Sequence, residues 1–202
     1  MGADIIDDTG QSIEVGKVGE LALRNASIGL TRGLWKDPER YLDSYWRTVP
    51  GIWVHGDWAV KDEHGMWYVL GRSDDTLKIS GKRTGPAEIE GPILATGKIA
   101  EAAVIGVPDE VGGSAVVCVC VPKEVFEDEK ALKEELIKVV IDEMGKAYKP
   151  KEVIFVQDLP KTRTMKIMRR VVKAILLGQN PGDLSSMINP EAIDFLKQKM
   201  IK

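Results

Sequence analysis

After Gly71 the chain alternates between short apolar runs typical of strands and amphipathic stretches typical of helices, over about 130 residues. The apolar runs are EAAVIGV, SAVVCVCV and EVIFV. Between the last two, apolar side chains recur at helical spacing over residues 128–144, and Gly145 ends that helix. Pro86 and Gly97 bracket a second predicted helix, and two more follow over VVKAILL and PEAIDFLKQKM. The alternation predicts a compact α+β domain with a three-stranded sheet and packed helices.

The residues before Gly71 are rich in Gly, Trp and short β-type runs. GELAL, GIWVHGDWAV and GMWYVLG have the composition of strands separated by Gly, Asp and Pro. KDEHG between the last two is a predicted hairpin turn in which Gly65 takes a positive φ. Asp37 is placed to cap a short helix that begins at Pro38. This half is therefore predicted to be a small, mostly β subdomain.

The polar stretch GRSDDTLK separates the mostly β half from the α+β half and is the predicted domain boundary. We predict a first domain over residues 1–71, a hinge over 72–79 and a second domain over 80–202. The sequence shows no internal repeat and no low-complexity segment. The fold class expected for the whole chain is α+β.

Composition excludes several classes of partner. A net charge of −3 argues against a nucleic-acid-binding surface, which requires a basic face. No apolar run approaches the ~20 residues that span a bilayer, and the N-terminus MGADIIDDTG lacks a signal-peptide pattern. We therefore expect a cytoplasmic protein with neither nucleic-acid nor membrane partners.

The cysteines and histidines indicate neither redox nor metal chemistry. Cys118 and Cys120 lie in the run SAVVCVCV, where a strand would place both side chains on one face about 6.6 Å apart, a separation that strains a disulfide. His55 and His64 are distant from these cysteines in sequence, whereas a metal site needs more ligands. We expect a buried strand at the cysteines and no metal site.

Asp57 follows a strand-like run and Gly56 in the sequence WVHGD. A carboxylate in this position can accept hydrogen bonds from two neighbouring hydroxyls, as on a ribose. It can equally be an ordinary turn aspartate, and HGD alone favours that interpretation.

The segment GRSDDTLKISGKR, residues 71–83, combines two carboxylates and four cations with flanking glycines. It is either a hinge beside an anion site or a solvated linker, and composition alone slightly favours the linker. In both cases Gly81 indicates a point of close approach, because a backbone without Cβ lets a ligand or a second chain pass closely.

The segment LPKTRTMKIMRR contains five cations, and its Lys166 leads into a predicted helix. A lysine there can place a compact positive charge between a carboxylate and a phosphate. The alternative is a solvated basic patch, which is the usual outcome when charge count is the only signal.

Taken together, these segments resemble the adenylate-forming superfamily of acyl-CoA synthetases, luciferases and peptide-synthetase adenylation domains. The resemblance runs in order through Gly19-Glu20-Leu21, Gly56-Asp57, GRSDDTLKISGKRTGPAEIE, AAVIGVPD and LPKTRTMKIMRR. The run WKDPERYLDSYW and the segment KIMRR are most similar to acetyl-CoA synthetase and its short-chain relatives. The second and last of the long motifs are highly specific, and the likeness covers nearly the whole chain.

The resemblance implies that the chain is the C-terminal part of such an enzyme. Residues 1–71 would be the last β subdomain of a large N-terminal domain, and residues 80–202 the mobile C-terminal lid. The phosphate loop, the adenine-contacting segment and the acid pocket of the family are not in this sequence, so we expect the chain alone to be inactive. Its expected partners are that N-terminal domain, on the same or another chain, together with a carboxylate, CoA and ATP with Mg²⁺.

The family's reaction assigns roles to three residues. A carboxylate attacks the α-phosphate of ATP to give an acyl-adenylate and pyrophosphate, and CoA then displaces AMP. By resemblance, Asp57 holds the ribose hydroxyls and Arg72 assists there. Lys166 bridges the attacking carboxylate and the nucleotide and is the expected catalytic residue.

Three further residues are implied in the second step. Asp74 would be the hinge about which the lid rotates between the half-reactions. Gly81 would line the path of the CoA pantetheine, and Arg83 would contact phosphate. One departure from the family is that Thr164-Met165 precede Lys166, where a Ser-Gly pair is usual.

Three other hypotheses about the function of the chain remain open at this stage. The chain can be a free-standing, non-catalytic lid that binds a partner's large domain, or binds nucleotide or CoA. It can also load a carrier protein, or be a structural remnant of the fold. Because a face that meets the large domain should be apolar, self-association of the isolated chain is expected. The acyl substrate is chosen by the acid pocket and is not specified by these residues.

Overall fold

A computed structural model describes residues 2–25, 27–109 and 113–200. It divides the chain into two compact units, Met1–Asp74 and Asp75–Lys202. The division falls inside the charged segment 72–79, and the role of that segment as a hinge stays a prediction. The α+β fold class is confirmed.

Unit 1 is an antiparallel sheet in which strands follow one another in sequence, in the order β1-β2-β3-β4. One short helix, α1, lies between β2 and β3. The elements of unit 1 are β1 (Ala3–Ile6), β2 (Val18–Leu23), α1 (Pro38–Tyr45), β3 (Trp53–Lys61) and β4 (Trp67–Arg72).

Local hydrogen bonds explain the turns of unit 1. The Asp62 carboxylate accepts hydrogen bonds from the backbone N–H groups of His64 and Met66, at 2.9 and 2.8 Å, and Gly65 has φ of +81°. This confirms the predicted hairpin between β3 and β4. The predicted cap of α1 is also present, because Asp37 accepts a hydrogen bond from the backbone N–H of Arg40 at 3.1 Å.

The core of unit 1 is small, and its last strand lies open on both faces. Every residue of β4 is exposed, including Trp67, Tyr68, Val69 and Leu70. A run of exposed apolar side chains on the last strand of the sheet is the kind of surface that other chain segments or partners cover.

Unit 2 contains a mixed sheet with helices on both faces. In the described residues the strands follow the order β6-β5-β8-β7, and β9 pairs parallel with β8. The elements are β5 (Leu77–Ile79), β6 (Lys82–Thr84), α2 (Pro86–Ala95), β7 (Ile99–Asp109), β8 (Gly113–Pro122), α3 (Glu129–Met144), a 3₁₀ turn (Lys146–Tyr148), β9 (Glu152–Phe155), α4 (Arg169–Leu176) and α5 (Glu191–Met200). The three predicted strands are β7, β8 and β9; the β5–β6 hairpin adds two that the sequence analysis placed in a linker. Residues 110–112, part of the predicted PDEVGG connection, lie outside the described residues.

Both faces of the β7–β8–β9 sheet are buried, which explains why these strands are almost continuously apolar. On one face Val104, Cys118 and Phe155 pack with α2 and α3. On the other, Ile105 and Val119 pack with α4 and α5. The predicted helices are confirmed, and their register follows from these contacts.

The two cysteines behave as buried apolar side chains. Cys118 and Cys120 are both free and both buried on β8, as predicted. Burial raises the pKa of the Cys120 thiol to about 12, so the reactive thiolate is negligible near neutral pH.

Candidate functional site

Asp57 and Arg72 face each other across the β3–β4 pair of unit 1. The distance from Asp57 Oδ1 to Arg72 Nη1 is 3.7 Å, and Arg72 Nε donates a hydrogen bond to Asp74 Oδ1 at 3.1 Å. Arg72 therefore connects the candidate ribose-binding carboxylate with the candidate hinge residue. Three residues that the sequence singled out separately meet around one guanidinium group.

Gly56 leaves the space that this guanidinium occupies. Its φ is +85°, and a Cβ built on it would lie 2.7 Å from Nη2 of Arg72. The neighbouring carbonyl of His55 lies 3.4 Å from Nη1 and accepts a hydrogen bond. The positive φ favours glycine at this position of the HGD motif, and the end of the Arg72 side chain occupies the space beside it.

His55 and Glu20 complete the cluster. His55 Nδ1 lies 2.5 Å from Asp57 Oδ2, and Glu20 Oε1 accepts a hydrogen bond from the backbone N–H of Gly56 at 2.8 Å. Burial raises the pKa of Glu20 above its usual value, outweighing the hydrogen bonds that Ser73 and nearby backbone groups donate to it. Sequence reasoning assigned no role to either side chain. Glu20 was part of the GEL match, and His55 directly precedes Gly56-Asp57.

The cluster places a carboxylate beside an exposed guanidinium group. Oδ2 of Asp57 is engaged by His55, whereas Oδ1 lies at the long distance of 3.7 Å from Arg72 and keeps capacity to accept hydrogen bonds. The Asp57 side chain is 15% exposed and that of Arg72 is 50% exposed. A carboxylate of this kind beside an accessible guanidinium group can bind a hydroxyl pair and a phosphate in one ligand.

Gly81 lies in the tight turn of the β5–β6 hairpin in unit 2. Ser80 and Gly81 form the two-residue loop and have φ of +49° and +82°, the combination typical of a type I′ turn. Among the described residues, no atom outside Gly81 and its two chain neighbours lies within 4 Å of a Cβ built on this glycine. The space beside this glycine is therefore open, as a ligand path requires.

Arg83 is exposed on β6 and lies directly opposite Lys78 on β5. Two cationic residues therefore lie side by side on this hairpin. The pair makes the hairpin a candidate phosphate-binding element. Lys78 is the residue that sequence reasoning counted only as one of the four cations.

Lys166 is exposed at the end of a closed loop, residues 162–166. The backbone N–H of Thr162 donates to the Lys166 carbonyl at 2.9 Å, and the Lys166 N–H donates to Thr162 Oγ1 at 3.2 Å. Met165, which stands where the family usually has glycine, has φ of +62° and is 61% exposed. The backbone conformation suited to glycine is thus kept, and methionine adopts it.

Ion pairs with one buried member hold the chain on both sides of this loop. On the N-terminal side, Lys161 Nζ lies 2.6 Å from Asp158 and 2.8 Å from Glu101. On the C-terminal side, Arg169 forms a bidentate pair with Glu90, with a shortest distance of 2.7 Å. Sequence reasoning missed these anchors, because a run of five cations suggests a solvated surface.

The chain is similar to known proteins over most of its length. The family model described as AMP-binding enzyme C-terminal domain matches residues 88–166, a range that ends at Lys166. The chain is 40% identical over 195 residues to acetyl-coenzyme A synthetase of Methanothrix thermoacetophila, covering 95% of this chain and 30% of that protein. It is 38% identical to acetyl-coenzyme A synthetase of Pasteurella multocida, covering 98% of this chain and 31% of that protein.

Residues 88–166 of this chain carry the C-terminal domain of the AMP-binding enzymes. The chain corresponds to the C-terminal part of the AMP-forming acyl-CoA synthetases, and it spans about 30% of the length of the curated relatives it matches. The family resemblance seen in the sequence is therefore confirmed.

Solved structures share the fold. Acetoacetyl-CoA synthetase from Streptomyces lividans superposes with a TM-score of 0.82 at 29% identity, covering 97% of this chain and 30% of that chain. ATP-bound MatB from Rhodopseudomonas palustris gives a TM-score of 0.69 at 28% identity, covering 85% of this chain and 33% of that chain. In the part of this chain that the structure describes, no helix is both long and apolar enough to cross a membrane.

Proposed function

We propose that this chain is the C-terminal part of an enzyme that converts a carboxylate, ATP and CoA into acyl-CoA, AMP and pyrophosphate. The observation that carries the proposal is the presentation of Lys166: an exposed lysine on a closed loop that is held on both sides by ion pairs with one buried member. In the first step a carboxylate oxygen forms a bond to the α-phosphorus of ATP, and the bond from that phosphorus to pyrophosphate breaks. In the second step the CoA thiolate attacks the acyl carbon, and AMP leaves.

Lys166 serves the first step. Its ammonium group reaches the attacking carboxylate and the nucleotide, and it stabilises the charge that builds on the α-phosphate oxygens. Such contacts, made chiefly in the transition state, contribute about 3 to 4 kcal/mol. The narrow loop supports this role because it fixes the point from which the side chain extends.

Asp57 and Arg72 bind the nucleotide. Asp57 accepts hydrogen bonds from the ribose hydroxyls, and Arg72 adds a positive charge beside them. Asp74 is the hinge residue about which the lid rotates between the two steps. Its hydrogen bond from Arg72 supports a coupling between nucleotide binding and hinge position.

The β5–β6 hairpin serves the second step. Gly81 lines the path of the pantetheine arm, for which the open space beside its backbone is suited. Arg83, facing Lys78 across the hairpin, contacts phosphate of CoA. The hinge rotation exchanges Lys166 for this hairpin at the reacting centre.

The partner is the larger N-terminal part of the enzyme, which carries the remaining ATP site, its Mg²⁺ and the acid pocket. The exposed apolar strand β4 supports this partner, because such a surface is suited to cover by another part of the protein. The names of the relatives favour acetate or another short-chain acid as substrate. We place the enzyme in the cytoplasm.

A substitution of Lys166 tests the proposal in the enzyme that contains this C-terminal part. Lys166→Ala is expected to slow adenylation about 100- to 1000-fold while leaving thioester formation from added acyl-adenylate almost unchanged. Lys173→Ala, an exposed lysine on α4, is the matched control and should leave both half-reactions intact. Equal losses in both half-reactions for Lys166→Ala would contradict the assignment.

The isolated chain provides a second test. Titration calorimetry with CoA, AMP and ATP should show weak or no binding, and an assay with acetate, ATP and CoA should show no turnover. ATP-dependent turnover by the 202 residues alone would overturn the proposal. Tight nucleotide or CoA binding without any partner would instead favour the free-standing binding module.

A further inference from the structure

Lys161 is a nearly buried ammonium group at the base of the Lys166 loop. Its side chain is 9% exposed, and Nζ lies 2.6 Å from Asp158 Oδ1 and 2.8 Å from Glu101 Oε1. Glu101 belongs to β7, whereas Asp158 follows β9 in the segment that leads to the loop. One lysine side chain therefore ties the start of the loop to the edge strand of the sheet.

Asn189 closes this network from the segment before α5. Its Nδ2 donates to Asp158 Oδ2 at 2.6 Å and to the Leu159 carbonyl at 2.8 Å, and its Oδ1 accepts from the Lys161 N–H at 2.9 Å. Asn189 is itself buried. Both the backbone and the side chain of Lys161 are thus held by fixed partners.

The backbone of Lys161 sets the geometry of the loop. Lys161 pairs as an isolated antiparallel bridge with Ile167, immediately after Lys166. The next residue inward, Thr162, holds both the carbonyl and the N–H of Lys166. A shift of Lys161 is therefore passed to the Lys166 backbone through two adjacent contacts.

Lys161 is buried, but its partners Asp158 and Glu101 are each 32% exposed. Ion pairs are weak evidence for a stabilising role whether they are exposed or buried. What such a pair does provide is one defined geometry, because its hydrogen bonds are directional. Although burial lowers the pKa of Lys161, the hydrogen bonds with Asp158 and Glu101 outweigh it and raise that pKa above its usual value.

We propose that Lys161 is a positioning residue for adenylation: held by Glu101, Asp158 and Asn189, it fixes the base of the 162–166 loop and so the point from which Lys166 extends. The inference rests on the proposed function of Lys166. Lys161 itself does not touch the substrate.

Limited trypsin digestion of the purified chain tests the structural half of this inference without any activity. Arg163 and Lys166 are exposed cleavage sites inside the loop, and cleavage there tracks the population of its open form. Lys161→Met should raise cleavage after these residues about tenfold relative to cleavage elsewhere in the chain. The matched control is Lys98→Met, which breaks an exposed pair with Glu135 of the same 2.6 Å length and should leave loop cleavage unchanged.

If Lys161→Met does not fold, Glu101→Gln replaces it, because that change removes one carboxylate and keeps the Asp158 pair. Faster loop cleavage with an unchanged far-UV circular dichroism spectrum supports the inference. Loop cleavage at the wild-type rate in a folded variant overturns it.

Half-reaction kinetics of the complete enzyme test the functional half. Lys161→Met should slow adenylation about 100-fold at saturating ATP, since a misplacement of about 1 Å can have that effect, and should leave thioester formation from added acyl-adenylate unchanged. Parallel loss in both half-reactions would mean a merely structural role and would overturn the inference. If Lys166→Ala is selective for adenylation and Lys161→Met is not, the positioning inference fails while the proposed function stands. If Lys166→Ala is itself unselective, the proposed function fails, and the digestion result still decides whether Lys161 orders the loop.

Discussion

Arg169 donates hydrogen bonds to both carboxylate oxygens of the buried Glu90. Its Nη2 lies 2.7 Å from Oε2 and 2.9 Å from Oε1, and its Nε lies 3.0 Å from Oε1. Glu90 Oε1 also accepts the backbone N–H of Val104 at 2.9 Å. Glu90 lies on α2 and Arg169 begins α4, and these helices cover opposite faces of the sheet. The pair therefore joins both helical layers and the edge strand β7. Arg169 lies three residues after Lys166 in the chain.

Arg169→Met is expected to lower the free energy of unfolding of unit 2 by about 2 to 3 kcal/mol, because it leaves the Glu90 carboxylate buried and unpaired. Urea unfolding followed by far-UV circular dichroism measures this loss, since most of the helical residues are in unit 2. Tryptophan fluorescence gives an internal reference, because all five tryptophans lie in unit 1.

Two variants decide whether the unpaired charge is the cause. Glu90→Gln combined with Arg169→Met should recover part of the loss, because the amide oxygen still accepts the Val104 N–H and no charge is buried. Lys98→Met, which breaks an exposed pair, should change stability by less than about 1 kcal/mol. A double variant as unstable as Arg169→Met alone would contradict the explanation.

The sequence predicted the elements of unit 2 well where a local signal defined them. The helix predicted over residues 128–144 is α3, and Gly145 ends it with φ of +96°, as expected. The structure adds that Asp128 caps this helix by accepting a hydrogen bond from the Ala131 N–H. The sequence did not predict the ion pairs of Lys161 with Glu101 and of Arg169 with Glu90, because these partners are 60 and 79 residues away in the chain. Charge count within a window cannot separate a solvated lysine from one enclosed by distant carboxylates.

The β5–β6 hairpin was missed for a different reason. Its turn residues are Ser80 and Gly81, whereas the usual type I′ signal is Asn-Gly or Asp-Gly. With only three residues on each side, the alternation of apolar and polar side chains is too short to indicate a strand. The site residues Gly81 and Arg83 were singled out by resemblance, and their functional roles stay predictions.

Met165→Gly is expected to stabilise unit 2. A residue other than glycine with φ of +62° carries a conformational cost of about 1 to 2 kcal/mol, whereas the flexibility of glycine in the unfolded chain offsets about 0.5 to 1 kcal/mol of the gain. The Met165 side chain is 61% exposed, so little packing is lost. A rise of up to about 1 kcal/mol in urea unfolding is expected. Met165→Val, a β-branched residue of the same apolar class, should move stability the other way, and a gain for valine would refute strain at this position.

Glu20→Gln is expected to change the pH dependence of unit 1. Burial raises the folded-state pKa of Glu20, so the folded state binds the proton more tightly than the unfolded state. The contribution of Glu20 to stability is therefore fully present below its usual pKa and is lost as pH rises through the raised value. Relative to Glu20→Gln, the wild-type chain should gain stability as pH falls through that window. Tryptophan fluorescence in urea at pH 4 to 7 follows unit 1 directly, and a stability difference that is constant over this range would contradict the assignment.

Gly81→Ala separates the backbone role of this residue from its proposed place on the CoA path. The left-handed φ of +82° should make alanine less stable by about 1 kcal/mol. No clash is expected, because no atom of the described residues beyond the two chain neighbours lies within 4 Å of the added Cβ. Gly97→Ala is the matched control: Gly97 has φ of +74° and the same open surroundings, but no proposed contact with substrate. In the complete enzyme, Gly81→Ala should slow thioester formation and leave adenylation unchanged, while Gly97→Ala should affect neither half-reaction. If both variants lose the same stability and neither slows thioester formation, Gly81 serves only the type I′ turn and its assignment to the CoA path is wrong.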